Sequence, residues 1–320
     1  MKITNRREKV MSNLLEIREN IKRLYGKYEM YITPVLKFLL TLVAIIMINA
    51  RLGYMDLLTN VFIVLMASVA CAILPWGCSL VVSALFVIGH MYSLALECAV
   101  IALAIFAIMF LLYFRFTAKD ALIVLLTPIC FFLKIPYLMP ICAGLACGPV
   151  SAVAVGCGVI THYMIDSVSG SAIAMAGVEG ETSSTFKMML EGIIGNTAMM
   201  VTLFAFVVTV VVVYIIRRLS IDYSWTVAMI TGAIVDAMIL LVGDLLLDTK
   251  ISILWLILGS IIAVLVAKVL EFFVFNVDYS RTERVQFEDD EYYYYVKAVP
   301  KVNVVPAAKT VKKINSSRMN

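Results

Sequence analysis

The chain has 320 residues, 62% hydrophobic and 15% charged, with a formal net charge of +4. Soluble globular domains are about 45–50% apolar and about 25% charged, so the composition argues against an ordinary soluble domain. No basic face on a soluble domain is visible, which leaves nucleic acid without a landing surface. The apolar excess comes as runs of lipid-crossing length, and the expected fold is an all-α, polytopic helical membrane bundle.

Residues 1–32 are polar and basic, too long for the leading part of a signal peptide, and no small-residue cleavage site follows. Asn13 with Glu16 three positions later has the spacing of a capping box. Leu14, Ile17, Ile21, Leu24, Tyr25 and Tyr28 then share one helical face, with Arg18, Lys22, Arg23 and Lys27 beside or opposite it. That pattern suits a helix lying on the inner membrane surface; a solvated helix ahead of the first span fits equally well.

A lipid-crossing helix needs about 20 predominantly apolar residues. Candidates are residues 34–50, 57–74, 79–94 and 98–114, separated by Arg51, by the Pro75-Trp76-Gly77 turn, and by Glu97. The central stretch, 131–165, is apolar but carries Pro136, Pro140 and Pro149 together with Gly144, Gly148, Gly156 and Gly158. It divides into residues 121–133, 137–147 and 149–165. Broken apolar segments persist at membrane depth only where protein or a water-filled cavity covers the freed backbone groups. In transporters they point to the binding site. Gly144 and Gly148 form a GxxxG pair, and Ala152/Gly156 and Ala154/Gly158 repeat the small-residue spacing that lets helices approach closely. Helix packing and a ligand cavity therefore both account for these glycines.

Residues 166–196 form the longest polar connection, followed by spans at 197–216, 225–242 and 251–273. Counting the short central pieces separately gives about ten spans and places Arg115, Lys119, Arg217, Arg218 and the basic tail on the inner side, as the positive-inside rule requires. A re-entrant hairpin at the second short piece is the alternative. The domain division expected is a cytosolic amphipathic segment at 1–32, a membrane domain at 33–275 and a cytosolic tail at 276–320.

Ionisable residues inside spans are functional candidates by default. Asp236 sits mid-span, and Gly232, Asp236 and Gly243 share a face, so its carboxylate should enter the bundle. It is either a coupling-ion or proton site, or a structural hydrogen bond made through Asn196 or a backbone carbonyl. His90, Lys134, His162 and Asp166 fall near outer span ends; His162 and Asp166 are four apart and share a helical side. They form a candidate polar vestibule, unless they are only the ordinary polar ends of spans. The substrate- or ion-binding candidates are thus Asp236, Gly144, Gly148, Gly156, Gly158, Lys134, His162 and Asp166.

In the tail, residues 284–287 and 292–299 are rich in β-formers and flank Glu288-Asp289-Asp290-Glu291, the pattern of a hairpin. Tyr292, Tyr293, Tyr294 and Tyr295 suit a partner surface. The basic end, with Lys309, Lys312, Lys313 and Arg318, is expected to be disordered and suited to anionic lipid heads.

The seven cysteines form no CxxC pair and lie in or beside apolar segments, so they read as small buried hydrophobes. With only His90 and His162, in different spans, no zinc site is expected. No HExxH, no P-loop and no GxSxG elbow occurs. The protein is not expected to be an enzyme or to carry a cofactor, and ATP-driven work would require a separate ATPase.

The tail DYSRTERVQFEDDEYYYYVKAVPK and the segment INARLGYMD resemble a family of multi-span membrane proteins of clostridial-type Gram-positive bacteria. That resemblance implies a bacterial cell membrane and no particular activity. The Gly-Pro-punctuated centre resembles small-molecule-binding membrane subunits of vitamin uptake systems and membrane sensor modules. Two functions are carried forward. One is a permease-type subunit of a small-solute transporter in the plasma membrane, both termini cytosolic, working with a separate cytosolic ATPase. The other is a non-transporting scaffold for cell-envelope assembly or signalling.

Overall fold

The computed structural model of the protein describes residues 2–176, 191–219, 221, 223–249, 252–274, 283–288 and 293–298. Two compact units emerge: residues 1–29 with 275–320, and residues 30–274. The expected three-part division thus changes, because the two ends of the chain group together.

In the first unit, helix α1 (Lys2–Arg51) begins; its backbone leaves helical geometry at Tyr28, the boundary between the units. Strands β1 (Glu283–Glu288) and β2 (Tyr293–Ala298) pair antiparallel, with Glu288 opposite Tyr293 and Glu283 opposite Ala298. Residues 289–292, which join them, lie outside the described residues, as does the basic end.

The second unit holds the rest of α1 and ten further helices: α2 (Asp56–Thr59), α3 (Val61–Ile73), α4 (Trp76–Leu94), α5 (Leu96–Phe116), α6 (Ala121–Phe132), α7 (Leu138–Ala146), α8 (Ser151–Ala176), α9 (Thr197–Arg217), α10 (Ser224–Leu247) and α11 (Ile253–Val274). Their ends follow local chemistry. The Asn60 side chain accepts the Phe62 N–H and starts α3; Asn196 does the same for α9 through Met199 N–H. Pro75 lacks a donor, so α3 stops before it and α4 starts after it. Lys134 takes a left-handed φ of 60° between α6 and α7.

Seven helices are long and apolar enough to cross a membrane: those of α1, α4, α5, α8, α9, α10 and α11. The count of about ten drops because α3, α6 and α7 have only 13, 12 and 9 residues. At 1.5 Å per residue they reach about 20 Å or less, against about 30 Å of hydrocarbon.

The α6–α7 pair returns to the level at which it began. Asp120, before α6, hydrogen-bonds the Cys147 thiol, after α7. Arg217 at the end of α9 donates to the Cys147 carbonyl at 3.2 Å. At the other end of the pair, Lys134 sits 4.6 Å over the Trp255 ring near the start of α11. The pair therefore leaves the orientation of all later helices unchanged, whether or not its turn clears the far side.

Outer faces of the long helices are apolar and exposed, as at Leu103, Ile108 and Leu111 of α5 and Ile257, Ile261 and Leu265 of α11. Such an apolar mantle has no place in water. With seven crossing-length helices, it defines a multi-pass integral membrane protein. Inside, α9 and α10 run together along most of their length, α7 is held between α9 and α11, and α8 packs on both α6 and α9. Phe206, Met164, Met229, Leu240 and Leu145 fill this core. Helix α1 stands farther off than the other long helices, and the space it leaves is the site described next.

Candidate binding site

Between α1, α4, α5, α6 and α8 lies a cavity of about 90 Å³. Ala44, Leu80, Phe106, Val124, Ile129 and Ile165 are among its walls. Apolar runs at helical spacing put these residues inward, while the offset of α1 keeps them from closing on one another.

The polar residues gather at one end. Arg51, the last residue of α1, places a guanidinium nitrogen 3.7 Å from a carboxylate oxygen of Asp166 on α8. This is an ion contact rather than a hydrogen bond. The same guanidinium lies 5.5 Å from the centre of the Phe132 ring. One turn before Asp166, the His162 imidazole stacks on Phe131, with ring centres 4.2 Å apart and planes at 14°. Its other neighbour is Tyr163, whose hydroxyl hydrogen-bonds Thr202 on α9 at 3.0 Å. Arg51 and Asp166 are about half exposed, at 45% and 56% of their side-chain surface. The site is thus an apolar slot with a cation, an anion and an imidazole at its mouth.

A second polar feature lies elsewhere. Asp236 on α10 is fully buried, and its Oδ1 accepts the Thr209 hydroxyl of α9 at 3.2 Å. Its Oδ2 has no hydrogen-bond partner among the described residues. The partner is therefore Thr209, not Asn196, whose side chain is spent capping α9. Gly232, one turn before Asp236, lets α10 close against Val213 and Thr209; Gly243 does so against Val201. This close approach makes the carboxylate inaccessible, and no residue of α7, α9, α10 or α11 lines the cavity.

The expected vestibule forms in part. His162 and Asp166 meet at the mouth. Lys134 instead lies over Trp255, away from the cavity. His90 is buried in α4, where its Nε2 meets the Asn49 side-chain oxygen at 2.8 Å and its Nδ1 accepts the Met55 N–H at 3.2 Å.

The glycines are helix contacts rather than cavity lining. A Cβ built on Gly144 would fall 2.8 Å from Val213 Cβ and 2.9 Å from the Val210 carbonyl oxygen. On Gly158 it would collide with Thr127 of α6, and on Gly156 it would touch Leu203 at 3.5 Å. Gly148 faces open space. None of the four lines the cavity. Tyr293, Tyr294 and Tyr295 lie on β2, opposite Glu288, Phe287 and Gln286; Tyr292 lies outside the described residues.

Arg51 is the site residue that sequence reasoning passed over, because a single arginine closing an apolar run reads as a topology signal. The clue available was its position: it ends a span on the side where Asp166 ends another. All seven cysteines are free; four are buried, and Cys78, Cys142 and Cys147 are half-buried.

No family model matches the chain, and no curated protein or solved structure matches it.

Proposed function

We propose that the protein is a permease-type subunit of a small-solute transporter in a bacterial plasma membrane, with both termini cytosolic. The observation that carries this reading is the cavity between α1 and the bundle, apolar within and charged at its mouth. Ligand pockets are commonly of this kind, with mostly apolar walls and a few placed polar groups. The loosely packed α1 is the element whose movement would open it.

Asp236 supplies a means of coupling. An isolated ionised carboxylate in a dry bundle costs several kcal/mol, more than one hydroxyl hydrogen bond of about 1.5–3 kcal/mol returns. A proton or small cation joining it at Oδ2 would compensate the charge and tighten the α9–α10 contact. In this reading a separate cytosolic ATPase is a partner only if uptake requires nucleotide. The test is solute accumulation by cells producing the full chain, with Ala84→Phe to fill the cavity and Asp236→Asn to remove the charge. Loss of uptake in both, with normal membrane levels, supports the reading; unchanged uptake in Ala84→Phe overturns it.

A second reading, a non-transporting scaffold for envelope assembly or signalling, is favoured by the glycine contacts at 144, 158 and 232, which are filled by side chains. Co-purification separates the two: an ATPase favours transport, and wall-synthesis or division proteins favour scaffolding.

A further inference from the structure

The wall chemistry of the cavity narrows what it takes, given the reading above that it is a binding site. Three hydroxyls line it, and each turns its proton into the local backbone. Ser83 donates to the Ser79 carbonyl at 2.8 Å, Thr161 to the Cys157 carbonyl at 2.9 Å, and Tyr113 to the Ala118 carbonyl at 2.8 Å. The interior therefore offers a guest almost nothing but methyl groups and ring edges. A polar guest would lose its hydration there without replacement, at a cost of a few kcal/mol per group.

At the mouth the balance reverses. Arg51 and Asp166 face each other at 3.7 Å, half exposed, one positive and one negative. The guanidinium carries five donors in a planar fork, and the 3.7 Å contact occupies none of them as a hydrogen bond. Asp166 keeps its acceptor capacity in the same way. A purely anionic head would meet Arg51 but be repelled by Asp166; a purely cationic head would meet the reverse. A head bearing both charges satisfies both.

Size sets the remaining constraint. A water-sized group needs about 10–15 Å³ on this measure of space, so a cavity of about 90 Å³ takes a row of roughly six to nine such groups. Along α6 the walls run from Val124 to Phe132, about 12 Å at 1.5 Å per residue. That is the space of one unbranched hydrocarbon chain, not two.

We propose that the cavity binds a single-chain amphiphile with a zwitterionic head, its hydrocarbon lying between α1 and α6 and its anion and ammonium meeting Arg51 and Asp166 respectively.

The test uses the full chain in phosphatidylcholine nanodiscs. Radiolabelled 2-aminodecanoate, decanoate, decylammonium and decanol are bound by equilibrium dialysis, with empty discs subtracted. The zwitterion is expected to bind about tenfold more tightly than either singly charged probe, the scale of two half-exposed ion contacts. Arg51→Gln should erase that advantage and favour decylammonium over decanoate; Asp166→Asn should erase it and favour decanoate. Ala84→Phe should abolish binding of all four probes, with Ser83→Phe as a second filling variant at a half-buried position should the first fail to fold.

The outcomes separate two failures. If decanol and the charged probes bind alike, and both mouth variants leave that ranking unchanged, the head assignment falls while the cavity stands. If no probe binds above empty discs, or neither filling variant reduces binding, the cavity itself is not a binding site and the reading beneath falls with it.

Discussion

His90 and Asn49 join α4 to the end of α1 through a hydrogen bond of 2.8 Å, and that bond locks the connection that follows. With Nδ1 accepting from Met55 N–H, the tautomer that satisfies both contacts carries its proton on Nε2. The Asn49 amide nitrogen also donates to the Leu58 carbonyl at 2.8 Å. One asparagine thus pins both sides of the turn between α1 and α3. Asn49→Ala should cost about 1–3 kcal/mol, the penalty of orphaning a buried partner. Hydrogen exchange across residues 52–58 should accelerate in the variant; unchanged protection would contradict the clasp.

Gly144 and Gly148 belong to one sequence motif but meet different surroundings. Gly144→Leu must displace Val213 and the Val210 backbone, whereas Gly148→Leu enters open space. The first should destabilise by at least about 1–3 kcal/mol and the second by much less. Thermal unfolding in one detergent, read side by side, checks the order.

Asp236→Asn keeps an oxygen to accept from Thr209 while removing the buried charge. Folding stability should hold or rise, because a well-satisfied neutral group replaces a charge with one bond. Uptake should fall to background. Preserved uptake together with preserved stability would make Asp236 a purely structural residue.

Asp120 lies in the connection between α5 and α6. Burial pushes its carboxyl above the ordinary value of 3.8, and the hydrogen bond with Cys147 opposes this more weakly. The folded state then holds the proton more tightly than the unfolded chain does. Its contribution is favourable in acid and lost as pH rises through the raised value. Asp120→Asn should therefore be the more stable protein near neutral pH, and the difference should close below pH 3.8. Melting curves from pH 3 to 8 provide the check.

The return of the α6–α7 pair fixes a labelling pattern. In a background lacking native cysteines, Lys119→Cys and Arg218→Cys should react with an impermeant maleimide from the same face. Asp56→Cys should react only from the opposite one. Lys119 and Arg218 on opposite faces would mean that α6 and α7 cross once rather than return.

The membrane bundle was legible in the sequence because hydrocarbon imposes run length, and the ends of α3, α4 and α6 lay close to their prolines. The number of full crossings was harder to read. Runs such as 57–74 and 121–133 are apolar enough to enter lipid, and only asparagine caps and the positive φ at Lys134 show how much of each is helix. His162 and Asp166 were found by their spacing of four on one helix. Their partner Arg51 lies more than a hundred residues away, and no local periodicity reports a contact of that kind. The glycines misled for a related reason: close packing and cavity lining ask for the same small residues, and only Val213 and Thr127 in place distinguish them.

Because the segment from Asp120 to Cys147 starts and finishes on one side, it behaves as a removable cassette. Excising or doubling it would invert nothing downstream, so this insert is free to diverge in length and composition. The helices from α8 onward are then inherited as a separate, orientation-locked block.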